Sequence, residues 1–374
     1  MKTTRLILVG GFLGAGKTTL LWEAAQRLSR RGQRVGLITN DQAPELVDTA
    51  FLSRGNVDVA EVSGSCFCCN FQGLLDAMGK LRKEAEADVL VAEPVGSCTD
   101  LSATIVQPLK ELMCREILMS PLSVMADPVR LADILDGGTG GLHIAAAYIF
   151  RKQLEEADII VISKTDMLDP SELSALKEKL SRTYPVAEVF SLSAKTGEGL
   201  DAWLAAVTSS SNSGRRIAEV DYDVYAEGEA VLGWLNATVM LSSERPTDWS
   251  EYAESFLRGL GGEFDRLKAS VGHVKLIIEA DGNFLMGNMT GKADTVSICG
   301  KANAGYKARM TLNARVQMSP EALDDIVRKE LDSSARGRIN VTTVAWRCLS
   351  PGRPNPTHRY DHIADETPGL AKDT

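Results

Sequence analysis

RLILVGGFLGAGKTTL, residues 5–20, carries an apolar run into a glycine-rich turn and then directly into helix-forming residues. Gly11 and Gly16 are separated by four residues and followed by Lys17 and Thr18, which is the spacing of a phosphate-binding loop. The chemistry explains the spacing. Glycines let successive backbone N–H groups face phosphate oxygens, the lysine brings positive charge to the outer phosphates, and the hydroxyl after it can ligate Mg²⁺. The apolar strand before the loop and TTLLWEAAQRLSRRG (18–32) after it predict a strand, a loop and a helix, hence an α/β domain built on a mostly parallel sheet. Gly11, Gly14, Ala15, Gly16, Lys17, Thr18 and Thr19 are the candidate phosphate ligands.

Three later stretches fit around that loop. ADVLVAEPVG (87–96) ends a second apolar strand in Glu93 and Gly96, a carboxylate for the Mg²⁺ shell and a glycine whose N–H can sense a γ-phosphate. ADIIVISKTD (157–166) ends a third strand in Ser163, Lys164, Thr165 and Asp166. The Asp166 carboxylate can accept from the N1–H and the 2-amino group of guanine, and adenine offers neither donor. The Lys164 stem can lie along the base, and Ser193, Ala194 and Lys195 of SLSAKTG can bring a backbone N–H to the guanine O6. Each short motif alone also fits a strand-end loop; their order at successive strand ends points to GTP and GDP with Mg²⁺.

SGSCFCCN (63–70) places Cys66, Cys68 and Cys69 within four positions of a chain that has seven cysteines. Three thiolates so close can close on one borderline or soft cation, leaving a fourth position open. The same thiols also fit a redox couple, Cys66 with Cys68 or Cys69 resolving a sulfenate. Cys98, two residues beyond Gly96, is a candidate fourth ligand that would tie such a site to the phosphate-sensing loop, and a lone small cysteine also fits simple packing. Cys114, Cys299 and Cys348 read as core.

Together these residues resemble the CobW-like GTPases, a metal-handling family related to the urease- and hydrogenase-maturation GTPases. The phosphate loop is similar from Gly11 to Thr18, the Mg²⁺ box from Glu93 to Gly96, the guanine box from Ser163 to Asp166, and the Cys-x-Cys-Cys loop from Cys66 to Cys69. Two departures stand out. Ser163 replaces the usual Asn, and NDQAPELVD (40–48) replaces the family's Asn-Glu-Phe-Gly-Glu, so that Asp41 and Asp48 match its acidic positions and Glu45 matches only with a one-residue shift. The resemblance implies a GTPase with Lys17, Asp41 and Glu93 as catalytic residues, Thr18 and Glu93 on Mg²⁺, and a transition metal on Cys66, Cys68 and Cys69, with Glu45 a further candidate ligand beside Cys98. It implies a metallochaperone or insertase; the thiolate set suits Zn²⁺ or Co²⁺, with Ni²⁺ a further candidate, and intrinsic hydrolysis is expected to be slow, since no Gln or Arg finger can be assigned. A client metalloprotein, corrinoid-related among the options, and a second copy of the chain are the expected partners. The alternative is a GTP-driven assembly or remodelling factor for a metalloenzyme or corrinoid protein, with a structural ion or redox thiols; a small-molecule kinase on the same loop is opposed by Asp166 and Ser193 to Lys195.

The chain's 374 residues, 44% of them hydrophobic, are enough for two cores. A net charge of −9 without a long basic run argues against nucleic acid. The N-terminal apolar run is short for a signal segment and no stretch reaches transmembrane length, so the expectation is a cytoplasmic protein without a membrane partner. Alternating strand and helix patterns predict a GTPase domain over 1–208, and TSSSNSGRR opens a linker over 209–220. Residues 221–350 read as a smaller α+β domain, ferredoxin-like with an added strand, in which HVKLIIEADGNFLM (273–286) is one strand. His273 and Lys275 begin that strand, and a lone histidine there reads as a surface or core residue. Residues 351–374 are rich in Pro and polar residues and read as a flexible tail; His358 and His362, four apart, would share a metal only on a helix.

Overall fold

The computed structural model describes residues 3–41, Val47, Leu52, 57–291 and 296–364. Its first sheet contains β1 (Thr4–Gly11), β2 (Val35–Asp41), β3 (Asp58–Ser63), β4 (Val89–Ala92), β5 (Ile117–Met119), β6 (Ser123–Ala126), β7 (Ile159–Ile162) and β8 (Glu188–Ser191). The order is β3-β2-β4-β1-β6-β7-β8, with β5 also paired to β1, and every pairing is parallel. Strands such as β4, β6 and β7 are apolar and buried along their whole length because helices cover both faces. In β1 the period of two sends Leu6 and Leu8 into one core and Ile7 and Val9 into the other. The second of these cores is filled by α1 (Lys17–Arg30) and α7 (Leu200–Ser209); the first by α2 (Phe71–Glu84) and α5 (Ile144–Glu156). The central position of β1 puts the turn that follows it, residues 10–17, at the carboxyl edge of the sheet, where open α/β sheets bind ligands.

The remaining helices of this layer are α3 (Gln107–Leu112), α4 (Pro128–Leu135), α6 (Pro170–Thr183) and α8 (Tyr222–Ala230). Residues 210–221 form no helix or strand, but the buried Asp158 carboxylate accepts from the N–H groups of Leu122, Gly214 and Arg215 and so pins them to β6 and β7. The helix α8 packs on α5, and Gly228 permits it: a Cβ there would lie 2.5 Å from the Ala145 carbonyl oxygen.

The second sheet begins at Gly233. It consists of β9 (Gly233–Thr247), β10 (Val271–Ala280), β11 (Asn283–Met289), β12 (Ser297–Gly300), β13 (Gly305–Val316) and β14 (Ile339–Leu349), in the antiparallel order β12-β11-β10-β13-β9-β14. The strands β10-β13-β9-β14, with α9 (Trp249–Arg266) and α10 (Pro320–Ala335) on one face, form the ferredoxin-like unit. Two strands are added, not one. The stretch 273–286 folds as a hairpin, because Asp281 and Gly282 take φ of 47° and 79°, the left-handed pair that a two-residue type I′ turn requires.

One carboxyl near the first domain's core makes stability depend on pH. Glu156, at the end of α5, is fully buried, and its oxygens accept from the Ser102 N–H (2.8 Å) and the Thr99 hydroxyl (3.1 Å). Burial, then the neighbouring Asp100, pushes its carboxyl up to about 8. Between the ordinary value of 4.5 and 8 the folded chain keeps a proton that the unfolded chain releases, so stability falls as pH rises through that window. Glu156→Gln keeps an oxygen that accepts from the Ser102 N–H and turns an amide nitrogen to Thr99 Oγ1, reversing that one bond, and it cannot ionise. Urea unfolding from pH 5 to 8 is expected to show wild type losing ground to Glu156→Gln by up to about 1.4 kcal/mol per pH unit; parallel curves would refute the assignment.

Candidate functional site

The phosphate loop has the strained backbone its glycines suggest: φ is 128° at Gly11, 81° at Gly14 and 92° at Gly16. A Cβ on Gly11 would lie 2.2 Å from the Met125 carbonyl oxygen, so the turn is locked against β6. Lys17 is buried, and its Nζ donates to the carbonyl oxygens of Gly11 (2.8 Å) and Phe12 (3.4 Å) and stands 3.7 Å from Glu93. The Thr18 hydroxyl donates to Glu93 Oε2 at 3.0 Å. A hydroxyl and a carboxylate at this distance are a hard-oxygen pair suited to Mg²⁺, and the residues present fit that ion. Gly96 faces them; a Cβ there would come within 3.0 Å of the Lys17 Nζ.

These groups open onto a cleft of about 1350 Å³ that gathers Gly14, Ala15, Gly16, Lys17, Thr18, Thr19, Glu93, Gly96, Ser163, Lys164, Asp166, Ser193, Ala194 and Lys195 on one surface. Asp166 Oδ1 accepts from the Ser193 hydroxyl (2.7 Å), which joins the loop after β7 to the loop after β8. Lys164 has a left-handed φ of 52°, and its Nζ lies 2.8 Å from Asp127. Burial opposes ionisation of Asp127, yet Lys164 and the Arg130 N–H hold its carboxyl below the ordinary range. Where the family has Asn, the Ser163 hydroxyl donates to the Ala126 carbonyl (3.0 Å) and ties the box to β6. Asp41 closes β2 opposite Ser63, while Glu45 and Asp48 lie outside the described residues.

Part of the cleft wall comes from the second domain. Arg130 of α4 donates to the Leu13 carbonyl (3.0 Å) and, across the domain boundary, to those of Val271 (2.8 Å) and Gly272 (3.3 Å). A Cβ on Gly14 would lie 2.5 Å from Thr290 Cγ2, so β10 and the end of β11 sit directly against the phosphate loop. His273 and Lys275 of β10 line the cleft, together with Arg130 and Arg315. Read as a chain, GHVK signals only a strand; the long-range pairing of β10 with β13 brings both side chains to this wall.

The cysteine loop is held from both ends. Asn40, at the end of β2, donates to the carbonyls of Val62 and Ser65 and accepts from the Phe67 N–H, while Asn70 caps α2 by accepting from the Gly73 N–H. Phe67 is fully buried, and Cys66 and Cys68 on either side of it are buried as well. Cys66 and Cys68 are 2.9 Å apart at Sγ, Cys68 and Cys69 3.8 Å, and all three lie within 4.8 Å of one another. Cys98 is buried nearby, and the neighbouring Cys66, with burial, pushes its thiol well above the ordinary range, but among the described residues the sulfurs that lie within 4.8 Å of one another are those of Cys66, Cys68 and Cys69 alone. Hydrogen bonds from the thiols of Cys68, Cys69 and Cys98 hold Cys66 well below the ordinary thiol range. Beside them, burial and then Cys66 push the Glu229 carboxyl up to about 8. Cys114, Cys299 and Cys348 are elsewhere and are not core: Cys299 is exposed on the edge strand β12, and the other two are half-buried.

Residues 350–364 form neither helix nor strand, and they run back across the cysteine loop. The N–H of Asn355 points at Cys69 Sγ (3.2 Å), and that of Thr357 donates to the Cys68 carbonyl (2.8 Å). His358 packs edge-on against Phe71, and His362 is exposed, so the two histidines do not converge. Arg359 binds the buried Asp100 (2.7 Å), which also accepts from Tyr222 (2.8 Å). Asp100 has a left-handed φ of 64° and stands two residues beyond Cys98.

The family model for the CobW/HypB/UreG nucleotide-binding domain matches residues 5–191. The chain belongs to that family. Among curated relatives, the zinc chaperone YjiA of Escherichia coli strain K12 is 27% identical over 202 residues, 51% of this chain and 58% of YjiA. The zinc chaperone CobW of Sinorhizobium sp is 28% identical over 200 residues, covering 46% and 54%. This CobW-family chain therefore spans a little over half the length of these relatives. A solved structure, Zn(II)-bound YjiA GTPase from E. coli, covers 89% of this chain and 99% of its own at 18% identity and a TM-score of 0.35. HypB from Helicobacter pylori in complex with nickel covers 54% and 84% at 19% identity and a TM-score of 0.40. Among the described residues no helix is long and apolar enough to cross a membrane.

Proposed function

We propose that this CobW-family chain is a GTP-hydrolysing metallochaperone whose cargo ion sits on Cys66, Cys68 and Cys69, with Cys98 closing the site. The observation that carries the reading is the course of residues 93–98. Glu93 and Gly96 face the phosphate loop, and Cys98, two residues on, is buried in the same core as Cys66 and Cys68 and electrostatically coupled to them. A change at the terminal phosphate that moves Gly96 thus also moves a metal ligand. Lys17 and the loop N–H groups would hold the phosphates, Thr18 and Glu93 would hold Mg²⁺, which supplies charge neutralisation there, and Asp166 with Ser193 to Lys195 would select guanine. The thiolate set suits Zn²⁺ or Co²⁺, and relatives named zinc chaperones support Zn²⁺ as the cargo for a client metalloprotein.

One observation favours the second reading, a remodelling factor with a resident structural ion. Cys66, Cys68 and Cys98 are all buried, and the returning C-terminal stretch lies over the loop; a closed four-sulfur pocket is the usual form of a structural zinc site. Anaerobic titration of Zn²⁺ into the reduced protein, loaded with GDP or with a non-hydrolysable GTP analogue, separates the two. The chaperone reading expects affinities that differ by about tenfold or more, and the same factor in GTP affinity with and without Zn²⁺. Equal affinity in both nucleotide states would leave the resident-ion reading standing.

A further inference from the structure

The wall of the cleft opposite the phosphate loop carries His273, Lys275 and Arg315 from the second sheet. On β10 the period of two puts His273 and Lys275 on one face, and the Arg130 bonds to Val271 and Gly272 clamp that face onto the loop. Lys275 Nζ donates to the Thr18 hydroxyl at 3.2 Å, next to Glu93 and Lys17. His273 is buried, with no partner for its Nδ1, and the positive groups around it are Lys275, Arg315, Lys17 and Arg130. Cations brought by two domains to one wall beside the Thr18 hydroxyl raise the local positive potential where an anionic phosphate chain on the loop would lie.

We propose that the phosphate site is shared between the two domains, with Lys275 of the second domain binding the terminal phosphate of GTP together with Lys17. The inference rests on the GTP reading above and adds to it: the second domain is a sensor of the γ-phosphate as well as a cover. It gives the chain a cation in cis at the position where nucleotide hydrolases of this class need charge, and it couples the docking of the two domains to the nucleotide state.

The test is equilibrium binding of fluorescent GDP and of a fluorescent non-hydrolysable GTP analogue, with Mg²⁺, to the full chain. A hydrogen bond to a charged group is worth about 1.5–3 kcal/mol, so Lys275→Ala is expected to weaken the GTP analogue about 10- to 100-fold and GDP by less than about threefold. Lys275→Gln, which keeps a donor for Thr18 without the charge, should show the same selective loss, and Lys275→Arg should restore most of the affinity. An equal loss for both nucleotides would reduce Lys275 to a domain-docking contact, and no loss would make it a partner of Thr18 alone; either overturns the inference while GTP binding itself stands. Failure of wild type to bind the GTP analogue would overturn both the inference and the reading beneath it.

Discussion

Cys66→Ser is expected to lower the affinity for Zn²⁺ by two to three orders of magnitude. Structural zinc sites bind with about 10–16 kcal/mol shared among four ligands, so one thiolate accounts for roughly 2.5–4 kcal/mol. Cys66 is the position where the loss should be largest, because its sulfur lies 2.9 Å from that of Cys68 and the neighbouring thiols hold its own well below the ordinary range, favouring the thiolate that binds an ion. A tetrahedral ion with Zn–S bonds of about 2.3 Å needs sulfurs about 3.8 Å apart. Cys68 and Cys69 are at that distance, and Cys66 with Cys68, at 2.9 Å, must open by roughly a further 0.9 Å. Ser conserves the shape of this buried site, so the fold should survive. Competition titration against a zinc chelator measures the change, with Cys299→Ser as the control, since Cys299 is exposed on the far edge of the second sheet. Cys98→Ser discriminates further. A loss close to that of Cys66→Ser makes it a ligand, whereas a loss under about tenfold makes it packing, and retention of full affinity in Cys66→Ser would remove the cargo site altogether.

How far the site could be read in advance depended on how local its chemistry is. Gly14 to Thr19, Glu93, Gly96 and Ser163, Lys164 and Asp166 belong to contiguous motifs at strand ends, and a parallel sheet brings successive strand ends to one edge, so the cleft that gathers them follows from their order. Lys275, His273 and Arg130 could not be found that way. Their place depends on how a second sheet docks, and neither periodicity nor spacing carries that information. The hairpin at Asp281 and Gly282 was legible in principle, since Asp-Gly is a strong type I′ signal, but the apolar run around it hid the turn. Composition suggested that the tail after residue 350 has no fold of its own. Its course from Asn355 to Ala364 is set by other parts of the chain: Cys69, the Cys68 carbonyl, Asp100, the Ala103 carbonyl and Gln107. Polar residues that cannot build a core can still be ordered by one that exists.

That same locality makes base selection the sharpest test of the nucleotide reading. Asp166→Ala is expected to weaken GTP by two to four orders of magnitude, because a carboxylate that accepts from both N1–H and the 2-amino group loses two charge-assisted hydrogen bonds of about 1.5–3 kcal/mol each. ATP should bind no better, as nothing is gained for adenine. Asp166→Asn is the more telling variant. Its amide oxygen can still accept from N1–H, but its amide nitrogen donates and faces the 2-amino donor, a mismatch that xanthine, with a 2-oxo group, turns into a match. Preference should therefore shift from GTP to XTP by about two orders of magnitude or more, read by competition against a fluorescent guanine nucleotide. The geometry allows the exchange, since Asp166 Oδ1 takes the Ser193 hydroxyl and an Asn oxygen can keep that bond. If Asp166→Asn and Asp166→Ala both leave GTP affinity unchanged, the residues from Ser163 to Asp166 do not read the base, and guanine selection belongs to another part of the cleft.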